Sequence, residues 1–268
     1  MKKNNILLLI NNLEIMDKIK EKDNITFLFP VKEFCVGFPN LFDINEINID
    51  AYIFVNRIMD NKSIEDFKKF IKILPNNIKG IVFDDIGVLN ILINEKIEIT
   101  KILFLNHMNC NYESINSYLE YVDSVVVSPD ITISEIDEIL EKAQKPLTLY
   151  TFGHMNIMYS RRTLLTNYNE HFKSDISNIA TLEEEISHHK FKINESKYGT
   201  VIYTNEPFNG LILREKENVL FNLINTIFLT DEEILEILNS KDNLENKYPY
   251  KYLSEEKTIF KLKEKDIW

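Results

Sequence analysis

Short apolar runs alternate with charged amphipathic stretches over the first 150 residues. The runs at 5–10 (NILLLI), 25–29 (ITFLF), 51–55 (AYIFV), 80–83 (GIVF), 101–105 (KILFL), 124–127 (SVVV) and 146–152 (PLTLYTF) are nearly continuous in apolar residues. That is the pattern of parallel strands covered on both faces, not the alternation of a half-solvated sheet. Between them lie helical spacings. Leu13, Met16 and Ile19 share one face, as do Ile64, Phe67, Phe70, Ile71 and Leu74, where the lysines turn to water and Ser63 stands as the expected N-cap. Further helices are expected at 87–93, 112–121 and 134–142. One strand and one helix recur roughly every 25 residues, which is the rhythm of right-handed βαβ units. Seven strands by residue 152 suit a closed barrel better than an open dinucleotide-binding sheet, and 268 residues suit a chain of that kind.

The rhythm breaks after the seventh strand. Residues 150–168 read YTFGHMNIMYSRRTLLTNY, an aromatic, polar and doubly basic segment. Residues 169–187 read as irregular. A hairpin is expected from 190–193 and 200–203 around the turn residues 194–199, inside an insertion at 188–205. The eighth strand is placed in 218–229, and TDEEILEILN opens a last helix with capping-box chemistry. The expected fold is thus α/β: a TIM-like (β/α) barrel over residues 1–240, with the hairpin, and a tail at 241–268 carrying a weak strand candidate, KTIFKLK. Whether the eighth strand completes the barrel or leaves it distorted stays open.

Composition narrows the classes. The net charge is −11, so a nucleic-acid-coating surface is not expected, although a local basic groove is compatible with it. Two cysteines, Cys35 and Cys110, make neither a disulfide framework nor a zinc site. The N-terminal apolar run is too short for a signal peptide, and no stretch approaches a membrane span, so a cytoplasmic protein without membrane attachment is expected. Neither GxGxxG after the first strand nor GxxxxGK[ST] occurs.

In a parallel barrel the residues at strand C-terminal ends meet at one mouth. Here they are Asn56 and Arg57, Asp84 and Asp85, Asn106, His107 and Asn109, Ser128 and Asp130, and then His154, Tyr159, Arg161, Arg162, Asn167 and Tyr168. Such a set suits a polar or anionic ligand, with Arg57, Arg161 and Arg162 as clamps. Plainer readings stand beside it. Asp84 and Asp85 match a solvated loop or helix cap, His107 a loop histidine with a local bond, and Arg161 and Arg162 an exposed salt-bridged pair. Ser160 lacks a nucleophile elbow, Cys35 fits a small buried residue, and His188 and His189 lack a spaced third ligand, so no metal is expected.

YTFGHMNIMYSRRTLLTNY resembles the signature segment of the collagenase-like peptidase family U32. AYIFVNRIMDN, IKGIVFDDIGVL, VVVSPDITISEI, YGTVIYTNEPFNGL and YKYLSEEKTIFKLKEKD resemble other family segments in the same order. The family name implies a peptidase or hydrolase. Several members resemble instead RNA or quinone hydroxylation proteins, which carry an iron–sulfur cluster on four cysteines. Thr163 stands where one cluster cysteine would be, so no cofactor is expected. The resemblance is to the short, cysteine-poor branch. It implies a non-cluster partner of a longer, cluster-bearing paralogue in tRNA wobble-uridine hydroxylation, with tRNA and a small anionic ligand as further partners. A peptidase, and a non-catalytic interaction protein, are the alternatives.

Overall fold

The structure, a computed structural model, describes residues 5–19, 22–240 and 242–248. The KTIFKLK segment lies outside the described residues.

Eight parallel strands close into a barrel. They are β1 (Ile6–Leu9), β2 (Ile25–Pro30), β3 (Ala51–Val55), β4 (Ile78–Phe83), β5 (Thr100–Leu103), β6 (Ser124–Val127), β7 (Leu147–Gly153) and, as the last staves of a longer excursion, a strand at Val219–Asn225. Consecutive strands pair in order from β1 to β7. Val219–Asn225 slots between β7 and β1, with Leu223 opposite Leu7 on one side and Tyr150 on the other. The last strand is therefore in place and the ring is complete. Its strands are buried along almost their whole length, which explains their continuous apolar composition.

Helices α1 (Glu14–Ile19), α2 (Asn61–Ile71), α3 (Ile86–Asn94), α4 (Tyr112–Leu119) and α5 (Ile133–Lys142) pack outside the ring. Their starts are set by side-chain caps. Asp60 accepts from the Ser63 amide, Asp85 from Gly87, Asn111 from Ser114, and Thr132 shares a capping box with Glu135. Asp60, not Ser63, is thus the N-cap of α2. The helix starts one turn earlier because Asn61 and Lys62 are solvated and add nothing to the apolar stripe. Between β2 and β3 the helix is replaced by a single 3-10 turn at Ile44–Glu46.

After β7 the chain leaves the ring. It forms β8 (Asn156–Ser160), α6 (Leu164–Phe172), β9 (Ile179–Glu183), β10 (Lys190–Ser196), β11 (Gly199–Thr204) and β12 (Phe208–Asn209), then returns through a 3-10 turn to β13 (Val219–Asn225) and α7 (Asp231–Asn239). Residues 169–187, expected to be irregular, contain the end of α6 and all of β9. The expected hairpin is β10–β11, and it is the centre of a four-stranded antiparallel sheet ordered β8-β11-β10-β9.

This sheet sits on the C-terminal mouth of the barrel. Val201 and Tyr203 of β11 are buried in the main core, and the Tyr203 hydroxyl donates to the Gly37 carbonyl in the loop after β2. Gly37 has φ +85°, and a Cβ there would strike the Tyr203 hydroxyl and lie 2.7 Å from Val201 Cγ2. Sheet and barrel meet so closely that only glycine fits.

Candidate functional site

The centre of the mouth is filled. A row of rings crosses it, from Phe38 to Phe54 (5.7 Å between centroids), Phe104 (6.3 Å), Tyr150 (5.9 Å) and Phe208 of β12 (5.9 Å). Val201 and Tyr203 join the same core from above. Between Phe104, His107, Tyr150 and Met155 a crevice of about 10 Å³ is left, room for one water at most, and an open hollow of about 510 Å³ lies outside it against Met155, Thr204 and Phe208. The polar residues of the strand ends therefore stand around the rim, and they fall into three groups.

The first group is on the β3–β4 side. Arg57 donates to the Glu33 carbonyl and to Ser63 Oγ, both at 2.7 Å, and lies 3.7 Å above the Tyr198 ring centroid. Tyr198, at the tip of the β10–β11 hairpin, donates to the Glu33 carboxylate, which Lys197 also contacts at 3.2 Å. The Tyr198 bond leads the effects that hold the Glu33 carboxyl below its ordinary range. Arg161 pairs with Asp60 at 2.9 Å. Asp60 is already held down to about 2, by the Ser63 amide and hydroxyl first and Arg161 after them. Asp84 lies within electrostatic reach of Tyr159 on the same side. Burial, and then the charge of its neighbour Asp85, raise its carboxyl to about 7. Both Tyr159 and the buried Cys35 feel its charge, and Tyr159 also feels Arg57 and Arg161. Tyr159 is therefore the residue within reach of Arg57, Asp84 and Arg161 alike. Asp85 turns away to cap α3.

The second group is on the β5–β6 side. His107 Nδ1 bonds the Asp130 carboxylate, and Nε2 bonds the Asn156 carbonyl of β8 at 2.7 Å. Both partners only accept, so the doubly protonated ring fits best. The Asp130 bond accordingly leads in raising the His107 pKa.

The third group is structural. Asn56 clamps both backbone groups of Val36. Asn109 is buried, donating to the Val126 carbonyl, while its Oδ1 finds no protein partner. His154 is buried against Phe228 and the Thr204 carbonyl, and burial pushes its imidazole down to about 4. Asn167 and Tyr168 lie on the exposed side of α6, apart from the rim. Arg162 is exposed too.

Residues outside the strand-end set hold the signature segment in place. Thr163 starts α6 without a side-chain cap bond. Glu195 of β10 does the capping instead, accepting from the Leu165 and Thr166 amides and from the Thr166 and Thr200 hydroxyls. Gly199, at φ +128°, lets β11 press against the Ser160 carbonyl. The Gly-Thr pair in YGTVIYTNEPFNGL was the only sequence signal for this anchor.

The donor set does not suit a four-thiolate cluster. The two cysteines stand on separate loops. Cys35 is buried, donates to the Phe54 carbonyl, and is pushed up by burial; burial also raises Cys110. Among the described residues no group of three or more His, Cys, Asp or Glu side chains could hold a metal ion. Among them, too, no helix is long and apolar enough to cross a membrane.

A complete eight-stranded barrel with an antiparallel cap sheet inserted between its seventh and eighth strands defines the class: a capped TIM-like barrel. The sequence model of peptidase family U32 matches residues 41–176, from the approach to β3 to just past α6, and the chain belongs to that family. It is similar in fold to a solved U32 peptidase, Mk0906, with a TM-score of 0.51 and 12% identity over 82% of this chain and 92% of that one. A Bacillus cereus spore cortex-lytic enzyme, SleL, gives a TM-score of 0.41 at 10% identity over 87% of this chain and 72% of that one. A chitinase from Chromobacterium violaceum gives 0.41 at 8% identity over 88% and 100%. No curated protein matches the chain.

Proposed function

We propose that this chain is a cytoplasmic, non-cluster subunit that acts beside a larger, cluster-bearing U32 relative in tRNA wobble-uridine hydroxylation. The observation that carries the reading is the capped mouth. A ring-filled axis leaves no chamber inside the barrel mouth, whereas at the rim Arg57, Arg161 and the Asp84 carboxyl all lie within electrostatic reach of Tyr159. A small anion or an RNA phosphate would bind at that rim, with the guanidiniums exchanging their present partners for it. Redox chemistry would then belong to the partner, because two cysteines cannot hold a four-thiolate cluster. Co-expression with the larger relative should yield a complex that survives gel filtration. Deleting the gene should lower wobble hydroxyuridine measured by mass spectrometry of digested tRNA. A chain that purifies alone, together with unchanged hydroxyuridine, sinks the reading.

One observation favours a peptidase as the second reading. A rim carboxyl that titrates near neutrality is suited to general acid–base work. The purified chain would then cleave gelatin or a peptide library, and Asp84→Asn would abolish that cleavage.

A further inference from the structure

The cap sheet ends, among the described residues, on an open edge. Among the described residues no strand pairs beyond β9, whose other side is laddered to β10. The phase of that ladder is fixed at both ends. The Glu195 amide donates to the Asn178 carbonyl at 2.8 Å, and the Glu184 amide to the His189 carbonyl at 2.9 Å. Hydrogen-bonded and non-bonded pairs alternate along an antiparallel ladder. Ala180 and Leu182 therefore bond to β10, while the backbone groups of Ile179, Thr181 and Glu183 point outward. Of these, the Ile179 carbonyl is taken by the Ser177 hydroxyl. The amide and carbonyl of both Thr181 and Glu183, and the Ile179 amide, are left facing out on exposed residues.

Natural edge strands are usually blunted by lysine, proline, a bulge or a covering element. β9 (IATLE) has no proline, lysine or bulge. Ile179 on the strand and Ile186 in the turn after it are exposed. Its C-terminal end carries Glu183, Glu184 and Glu185. Lys190 and His188 lie against Glu183, Glu184 is engaged in its own turn, and Glu185 stands exposed. With a net charge of −11 on the chain, a second copy would be repelled and a cationic strand attracted.

We propose that the outer edge of β9 is a docking edge that adds an extended, lysine- or arginine-bearing strand of a partner protein to the cap sheet. The backbone groups of Thr181 and Glu183 supply the ladder, and the acidic end of β9 selects the charge. The edge acts independently of the reaction assigned above. Failure of the pull-down with the larger relative leaves it standing, and its own failure leaves room for that complex to form through another face.

The test uses two synthetic peptides that share an alternating Val-Thr core, one flanked by lysines and the other by glutamates. Binding is read by fluorescence anisotropy and by hydrogen exchange of the full chain. The lysine peptide should bind more tightly than the glutamate peptide and slow exchange of the Thr181 and Glu183 amides. Thr181→Pro should weaken it about tenfold or more, since proline removes an outward N–H without touching the β10 ladder. Its folding is checked by circular dichroism. Glu183→Lys with Glu185→Lys should move the preference to the glutamate peptide, and this decides the matter should the proline variant misfold. Equal binding of both peptides, no protection at Thr181, or protection that rises with protein concentration in the absence of peptide (a second copy on the edge) would each overturn the proposal.

Discussion

The Glu195 carboxylate accepts the backbone amide of Leu165, thirty positions earlier in the chain, at 2.6 Å, so a residue of the β10 strand caps helix α6. Leu165 is the first buried residue of α6, and its neighbour Thr166 supplies a second amide and a hydroxyl to the same carboxylate. A carboxylate at a helix N-terminus meets free amides and the positive end of the helix dipole. This bond, with the Gly199 contact, turns the signature segment and the hairpin into one unit.

Glu195→Ala should therefore destabilise the protein by about 1–3 kcal/mol, because it strands buried donors. The pH dependence has a defined sign. Burial works to raise the Glu195 carboxyl, but the Thr166 and Thr200 hydroxyls and the Leu165 and Thr166 amides outweigh it and hold it below its ordinary range. A depressed carboxyl contributes stability that is present above the unfolded pKa and lost as pH falls through the folded one. Urea titrations across the acid range should show Glu195→Gln with a shallower acid limb than the parent. An unchanged limb would assign the acid sensitivity elsewhere.

Gly37 and Tyr203 make the tightest joint between sheet and barrel. Gly37→Ala adds a left-handed non-glycine residue and a Cβ in collision with Tyr203 and Val201, so a loss of at least ~2 kcal/mol is expected. Tyr203→Phe removes only the bond to the Gly37 carbonyl, for about 1 kcal/mol. The double variant should stay as unstable as Gly37→Ala alone, because Val201 still obstructs the new methyl. Thermal denaturation of the three variants checks this, and recovery in the double variant would place the whole clash on the tyrosine hydroxyl.

How much of this was legible in the sequence depended on where the stabilising contacts lie along the chain. The barrel strands were readable because each is wrapped in apolar surroundings and is itself apolar. The cap sheet was not. β8 (NIMYS) leaves Ile157 and Met158 exposed, and β9 (IATLE) leaves Ile179 exposed, so apolar residues do not mark one face of either strand. The strand-end rule found Arg57, Asp84 and His107 but could not show that Tyr203, more than 150 residues from Gly37, plugs the space between them. Asn56, Asn109 and His154 satisfied the same rule, and their side chains fasten loops and turns. A polar residue at a strand end serves a loop as readily as a ligand, and the sequence does not separate the two uses.

Asp84 supplies a prediction of opposite sign to Glu195. Its folded pKa, about 7, lies above the ordinary aspartate value of 3.8. A raised carboxyl contributes stability that is complete below the unfolded pKa, falls as pH rises between the two values, and is lost once pH passes the folded one. One pKa unit is about 1.4 kcal/mol, so Asp84→Asn should gain on the order of 2–4 kcal/mol over the parent at pH 8 and little at pH 4. Denaturant midpoints at the two pH values decide it. A variant that gains nothing at pH 8 would show that the carboxylate is solvated in the folded protein, and would remove the physical basis for an acid–base role at this rim.

His107 ties β8 to the barrel through a pair that half faces water. The Asp130 bond raises its pKa above 6.5, so the pair's stability is present below the unfolded value and is lost as pH rises through the folded one. The side chains are 44% and 34% exposed, and solvent screening holds the contribution to about 1 kcal/mol or less. Asp130→Asn should return the histidine toward its ordinary pKa, as followed by the ring-proton shifts in NMR. Hydrogen exchange at β8 should change little, because the new side-chain amide at 130 can donate to the neutral ring's Nδ1 while Nε2–H keeps the Asn156 carbonyl. A His107 titration unmoved by Asp130→Asn would mean that the Asn156 carbonyl alone holds the proton.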